Sequence, residues 1–134
     1  AERPEYIARG DLTQAGGYRA AQQLLDLPEP PTAIMGATDL TAIGAIHAAH
    51  QRGLTVGRDL AVTGFDGTRY AETMQPGLTT LNQPLYDIAR RLATVLFASL
   101  ERTAERLSSE HQVVLTPELI VRESSSGRAT ISIA

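Results

Sequence analysis

Residues 31–40 read PTAIMGATDL, residues 58–67 read RDLAVTGFDG and residues 76–84 read PGLTTLNQP, and these three stretches decide the fold. In the first two, a short apolar run (Ala33 to Met35, Leu60 to Val62) is followed by an aspartate, Asp39 or Asp66, 27 positions apart. A strand, a helix and a return connection take about 30 residues. One strand–helix unit therefore separates the two acids, which predicts an α/β fold with a parallel sheet. In such a sheet, ligands bind in the crevice outside the carboxyl ends of the strands. Two carboxylates at that rim predict a pocket for a polar small molecule.

Working outward, Glu5 to Ala8 is a weak strand candidate, and Thr13 caps a helix to about Leu25 that Pro28, Pro30 and Pro31 stop. The run TAIM has no polar alternation and reads as a strand buried on both faces. Thr38 or Asp39 caps the next helix, on which Leu40, Ile43, Ile46 and Ala49 recur at helical spacing, and Gly53 ends it. Gly44 and the surrounding alanines let that helix approach the sheet, or a second molecule, closely. Leu60 to Gly64 is a strand, with Phe65, Asp66 and Gly67 turning beyond its end, and Leu78 to Leu81 is another after the Pro76-Gly77 turn. Pro84 suits the first turn of the longest helix, running to about Leu107 with Leu85, Ile88, Leu92, Val95, Leu96 and Leu100 on its apolar side. Val113 to Leu115 and Leu119 to Val121 read as short strands separated by Pro117, and Ser124 to Ala134 as a loosely held tail in which Ile131 and Ile133 could add an edge strand.

The chain of 134 residues is one domain's worth, with 43% hydrophobic and 20% charged residues. Its 12 basic side chains are all arginines, scattered and outnumbered by 15 acids, for a net charge of −3. A nucleic-acid-binding module carries a basic surplus on one face, so this segment does not read as gripping DNA itself. Without cysteine, disulfides and thiolate metal sites are excluded. No run approaches the roughly 20 apolar residues that span a bilayer, and no apolar leader marks the N-terminus for export. That start could equally lie inside a longer protein.

Asp11 precedes Asp39 by 28 positions, which extends the rhythm to a third acid. Aspartate is common at turns and helix starts, and this accounts for Asp11 and Asp59. A capping role accounts for Asp39. Asp66 follows a strand, opens no obvious helix and is flanked by Phe65 and Gly67, so it keeps the ligand role.

Taken in order, Pro31 to Ile34, Ala37 to Gly44, Gly64-Phe65-Asp66 and Pro76 to Pro84 resemble the effector-binding domain of the lactose/galactose-repressor family of bacterial transcription regulators. Leu115 to Ser125 (LTPELIVRESS) looks like that family's closing strand, and Gly10-Asp11-Leu12 through Leu25 also fits. The resemblance implies a periplasmic-binding-protein-like fold of type I: two doubly wound parallel-sheet subdomains joined by crossovers, with the effector in the cleft. Residues 1–83 would be the C-terminal subdomain, and 84–116 a helix and strand that pack on the N-terminal subdomain. Residues 117–125 would return, leaving 126–134 as tail. The DNA-binding helix-turn-helix would lie upstream, so operator DNA would be met only through that part. An apolar helix lacking its packing partner is an association surface. Self-association therefore follows as an expectation, with exchange of the 84–107 helix between copies as one route.

The resemblance also implies a site. Asp66 matches the family's ligand carboxylate and Gln83 a cleft-lining glutamine at the hinge. Leu12 stands where the family commonly has an aromatic residue, and Thr38 where it commonly has asparagine. Ile43, His47, Tyr70 and Met74 stand at dimer-interface positions. Gly67 occupies a place where the repressors more often have a second acid, whereas GFDG is frequent in periplasmic sugar-binding proteins of ABC transporters, which share the fold. The expected function is effector binding and dimerisation in a cytoplasmic regulator, with a sugar or nucleoside-like effector and no cofactor, metal or membrane partner. The transporter sugar-binding protein is the alternative. A hydrolase is the third reading, but the chain has no G-x-S-x-G elbow, Walker A loop, H-E-x-x-H or cysteine nucleophile. His47 and His50 lie three apart on a helix with His111 remote, which suits a surface better than a metal site.

Overall fold

A computed structural model describes residues 3–101 and 113–127. The chain divides into two compact units, one made of Ala1–Asn82 with Leu119–Ala134 and the other of Gln83–Glu118.

The first unit is built on a sheet in the order β1 (Ala33–Met35), β2 (Ala61–Asp66), β3 (Thr79–Asn82), β4 (Glu118–Ile120). The pairs β1/β2 and β2/β3 are parallel, with Ile34 opposite Val62 and Asp66 opposite Asn82. Helices α1 (Gln14–Leu25) and α2 (Asp39–Gln51) precede and follow β1, and a short α3 (Arg69–Thr73) follows β2. Thr13 caps α1 by accepting the Gly16 amide, and Gly53, at φ 72, turns the chain out of α2 as a helix-ending glycine should. The core lies where α2 meets the sheet: Ile46, Leu60, Val62 and Leu78 are each at most 1% exposed.

Small residues bring α1 and α2 together. A side chain at Gly17 would collide with the Thr41 backbone, and one at Gly44 with the backbone of Gln14 and Tyr18. The close neighbour for which Gly44 makes room is therefore this chain's own α1.

Several expectations need correction. Residues 5–8 form no strand. Pro4 instead starts a 3₁₀ turn, Pro4–Tyr6, fixed by the Tyr6 hydroxyl donating to the Glu29 carbonyl at 2.9 Å. β1 is not buried on both faces: among the described residues it is the edge of the sheet, with Ile34 in the core and Met35 79% exposed. An unbroken apolar run of three residues does not say whether a second strand flanks it. β2 continues through Asp66, and a helix does open beyond it at Arg69.

The tail expectation fails for residues 124–127. Helix α5 (Glu123–Ser126) packs on β2 and β3, and Ser124 is fully buried. Its hydroxyl donates to the Val62 carbonyl at 2.6 Å and accepts the Thr79 amide at 2.9 Å. The stretch carries no apolar periodicity because a hydrogen-bonding hydroxyl anchors it. The edge strand expected at Ile131 and Ile133 lies outside the described residues.

In the second unit, α4 (Leu85–Glu101) begins as Pro84 suggests, its carbonyl accepting the Ile88 amide. The continuation to Leu107 lies outside the described residues. Val113 to Leu115 does not form a strand. Along α4, Leu92, Leu96, Phe97 and Leu100 are all more than half exposed, while Ile88 and Val95 are half-buried.

Candidate functional site

In the first unit the strands deliver their carboxyl ends to one rim, at Gly36–Thr38, Asp66–Thr68 and Asn82. The turn after β2 is the most constrained part of it. Asp66 has φ 130 and Gly67 φ 73. For a side-chain-bearing residue such as Asp66 that backbone is strained, and strain of this kind persists only where surrounding bonds over-determine it. Gly67 has no alternative, since a side chain there would run into Asn82 on the neighbouring strand.

The bonds that hold the turn come from Asp39. Its carboxylate is fully buried. Oδ2 accepts the Thr68 amide at 2.7 Å and the Thr68 hydroxyl at 2.8 Å, and Oδ1 accepts the Thr80 hydroxyl at 2.6 Å. The Thr80 oxygen in turn accepts the Gly67 amide at 3.3 Å. Short bonds to an ionised acceptor are stronger than neutral ones, and here they tie the first residue of α2 to both the β2–α3 turn and β3. The expectation that Asp39 is mainly a helix cap is corrected. Thr38 is the cap: its hydroxyl accepts the Thr41 amide at 3.2 Å, while the Thr41 hydroxyl accepts the Thr38 amide at 2.9 Å. The Thr38 side chain is thereby engaged with its own helix.

Leu12, at φ 60 and 58% exposed, lies across a shallow apolar depression from the end of β1, whose walls include Leu24, Ile34, Met35, Gly36 and Ala37. Gln83 is half-buried at the start of the second unit, its carbonyl accepting the Leu85 amide at 2.8 Å. Leu12, Thr38 and Asp66 thus share one unit; Gln83 belongs to the other. The sequence reading missed Thr68, Thr80 and Ser124. The paired hydroxyls of the otherwise apolar run LTTL were the available signal, because a threonine facing a core needs a partner.

Of the residues at interface positions, Ile43 is half-buried, His47 is exposed on α2 and Tyr70 is 72% exposed. Met74 packs partly against the core. His47 Nδ1 lies 2.9 Å from the Gln14 side-chain amide. No group of three metal-ligating side chains occurs among the described residues.

Asp11 and Asp59 behave as turn residues. Asp11 bonds the Thr13 hydroxyl at 2.5 Å and its amide at 3.1 Å, and pairs with Arg19 at 3.0 Å. The Thr13 hydroxyl, more than any other group, holds the Asp11 carboxyl below the ordinary carboxylate range. The Arg58 guanidinium and the Thr55 amide do the same for Asp59, more strongly.

The family model describing a periplasmic binding protein-like domain matches residues 1–125. The chain belongs to this family. Within it, the HTH-type transcriptional repressor CytR of Escherichia coli K12 is 41% identical over 122 residues, 91% of this chain and 35% of that protein. The crystal structure of a LacI-family regulatory protein from Chloroflexus aggregans matches with a TM-score of 0.81 at 38% identity, covering 93% of this chain and 44% of that one. A complex of the transcriptional regulator CelR with cellobiose matches with a TM-score of 0.82 at 31% identity, over 93% of this chain and 37% of that one. This periplasmic binding protein-like chain thus spans about a third of its curated repressor relative, CytR. The lactose/galactose-repressor resemblance read from the motifs and the similarities measured over the whole chain agree. No helix among the described residues is long and apolar enough to cross a membrane.

Proposed function

We propose that this chain is the effector-binding and dimerising part of a cytoplasmic bacterial transcription regulator whose operator-binding helix-turn-helix lies upstream. The observation that carries the reading is its 41% identity, across 91% of its length, to a transcriptional repressor. In this reading the effector is a sugar or nucleoside-like molecule held at the strand-end rim. Asp66 accepts its hydroxyl or N–H groups, Gln83 contributes from the crossover, and Leu12 offers an apolar contact. Thr38 stands beside the effector with its hydroxyl already engaged in capping. Residues 84–116 pack on the N-terminal subdomain, and closure of the cleft reorients the DNA-binding heads with a coupling of about 1–3 kcal/mol. Ile43, His47, Tyr70 and Met74 face the second copy.

The test is a thermal-shift screen of sugars and nucleosides on the full-length protein. A ligand at 100 times its dissociation constant stabilises by about 2.7 kcal/mol. Asp66→Ala removes charge-assisted bonds of roughly 1.5–3 kcal/mol and, at the same ligand concentration, cuts that stabilisation to between about a half and a tenth. An undiminished shift in the variant refutes the assignment of Asp66.

A further inference from the structure

We propose that Asp39 is a positioning residue, setting the Asp66–Gly67–Thr68 turn and so aiming the carboxylate that meets the effector. The proposal rests on the reading of Asp66 as the effector's ligand and adds to it the group that makes its geometry possible.

Three observations carry it. First, one buried carboxylate accepts three hydrogen bonds, and its two oxygens divide the work. Oδ2 holds the turn through the Thr68 amide and hydroxyl, while Oδ1 is fixed to β3 through Thr80. Second, Thr68 occupies the N-cap position of α3, yet its hydroxyl makes no capping bond there. The hydroxyl reaches back to Asp39 instead, so the helix start forgoes its usual cap to keep the turn in place. Third, the sheet leaves room for the carboxylate: a side chain at Gly64 would collide with Asp39 Oδ1.

Together these place a fixed carboxylate against the residue after a two-residue turn in which Asp66 is strained at φ 130 and Gly67, at φ 73, is not. Releasing the Thr68 amide frees Asp66 to relax towards common backbone angles. Asp39 is also the first residue of α2, whose dipole favours negative charge at that end. Among the described residues no ion pair holds the Asp39 carboxylate, and its hydrogen bonds join the turn to the start of α2.

The experiment is hydrogen–deuterium exchange on the full-length protein carrying Asp39→Asn. Asparagine keeps the shape but puts a neutral amide in place of the carboxylate, so whichever way it turns, the bonds to Thr68 and Thr80 lose their charge assistance. Exchange at Gly67 and Thr68 is expected to accelerate about 10-fold or more, while the amides of Ala45, Ile46 and Val62 stay protected. Thr68→Ser, which retains the hydroxyl, should leave the turn protected, and Thr68→Val should loosen it. Uniform acceleration across the first unit would show a mere structural strut, and no acceleration would show that the turn holds itself; either overturns the proposal. The readout involves no effector, so it stands apart from the Asp66→Ala binding test, which alone decides what the turn is for.

Discussion

Replacing Ser124 by alanine tests whether the closing segment is a structural clasp. Its hydroxyl is fully buried, bonded to the Thr79 amide on β3 and the Val62 carbonyl on β2. In Ser124→Ala the Thr79 amide is left in a dry site with no partner, which costs about 1–3 kcal/mol. The Val62 carbonyl loses one of the bonds it can accept, a smaller term of about 0.5 kcal/mol. The expected loss is therefore about 1.5–3.5 kcal/mol. Ser125 supplies the control: its hydroxyl lies 2.7 Å from the Thr79 hydroxyl, but the residue is only partly buried, so Ser125→Ala should cost about 0.5–1 kcal/mol. In urea titrations with slopes of about 2 kcal/mol per molar, Ser124→Ala moves the midpoint down by roughly 0.8–1.7 M and leaves the slope unchanged. Equal midpoints for the two variants would mean that burial of the Ser124 hydroxyl is not what holds the segment.

Gly44→Ala adds a methyl against the backbone of α1; the helix-propensity gain of about 1 kcal/mol is offset by overpacking of about 1–3 kcal/mol. The variant should be no more stable than the parent, and a clear rise in its urea midpoint would contradict the close α1–α2 approach. Thr13→Ala removes the α1 cap at about 1 kcal/mol and the main group depressing the Asp11 carboxyl, whose titration, followed by NMR, should move up towards the ordinary carboxylate range. A depressed carboxylate contributes stability above its unfolded pKa that is lost as pH falls through its folded value. The Asp11 contribution present in the parent at neutral pH and lost in acid should therefore be missing from the variant. The exposed apolar side of α4 predicts concentration-dependent self-association of the 134-residue chain in sedimentation velocity, reversed by Leu96→Glu with Leu100→Glu; a sharp monomer boundary at all concentrations would remove the basis for it.

The parallel strands and the helices flanking them were legible because each joins a short apolar run to a helical period bounded by proline, glycine or a capping threonine. The turn at Gly67 was legible from its place after a strand. What escaped were polar contacts distant in sequence. Asp39 sits where a cap is expected, and only folding brings it to Thr68 and Thr80, 29 and 41 positions away. Ser124 was misread because a buried hydroxyl has the same letter as an exposed one. Edge position was equally hidden, since Ala33 to Met35 does not state how many neighbours the strand has.

The clasp also orders events during synthesis. Arg122 donates to the Leu78 carbonyl at 2.7 Å, and the Ser124 amide donates to the Gly77 carbonyl at 2.9 Å. Both partners leave the ribosome long before the residues that bond them. At about 5–20 residues per second, the 42 positions from Asn82 to Ser124 take roughly 2–8 s to make. During that interval β3 carries unsatisfied backbone groups while the second unit is being translated. The first unit is completed only when residues 122–124 arrive, so a product cut off before Arg122 lacks the bonds that latch β2 and β3.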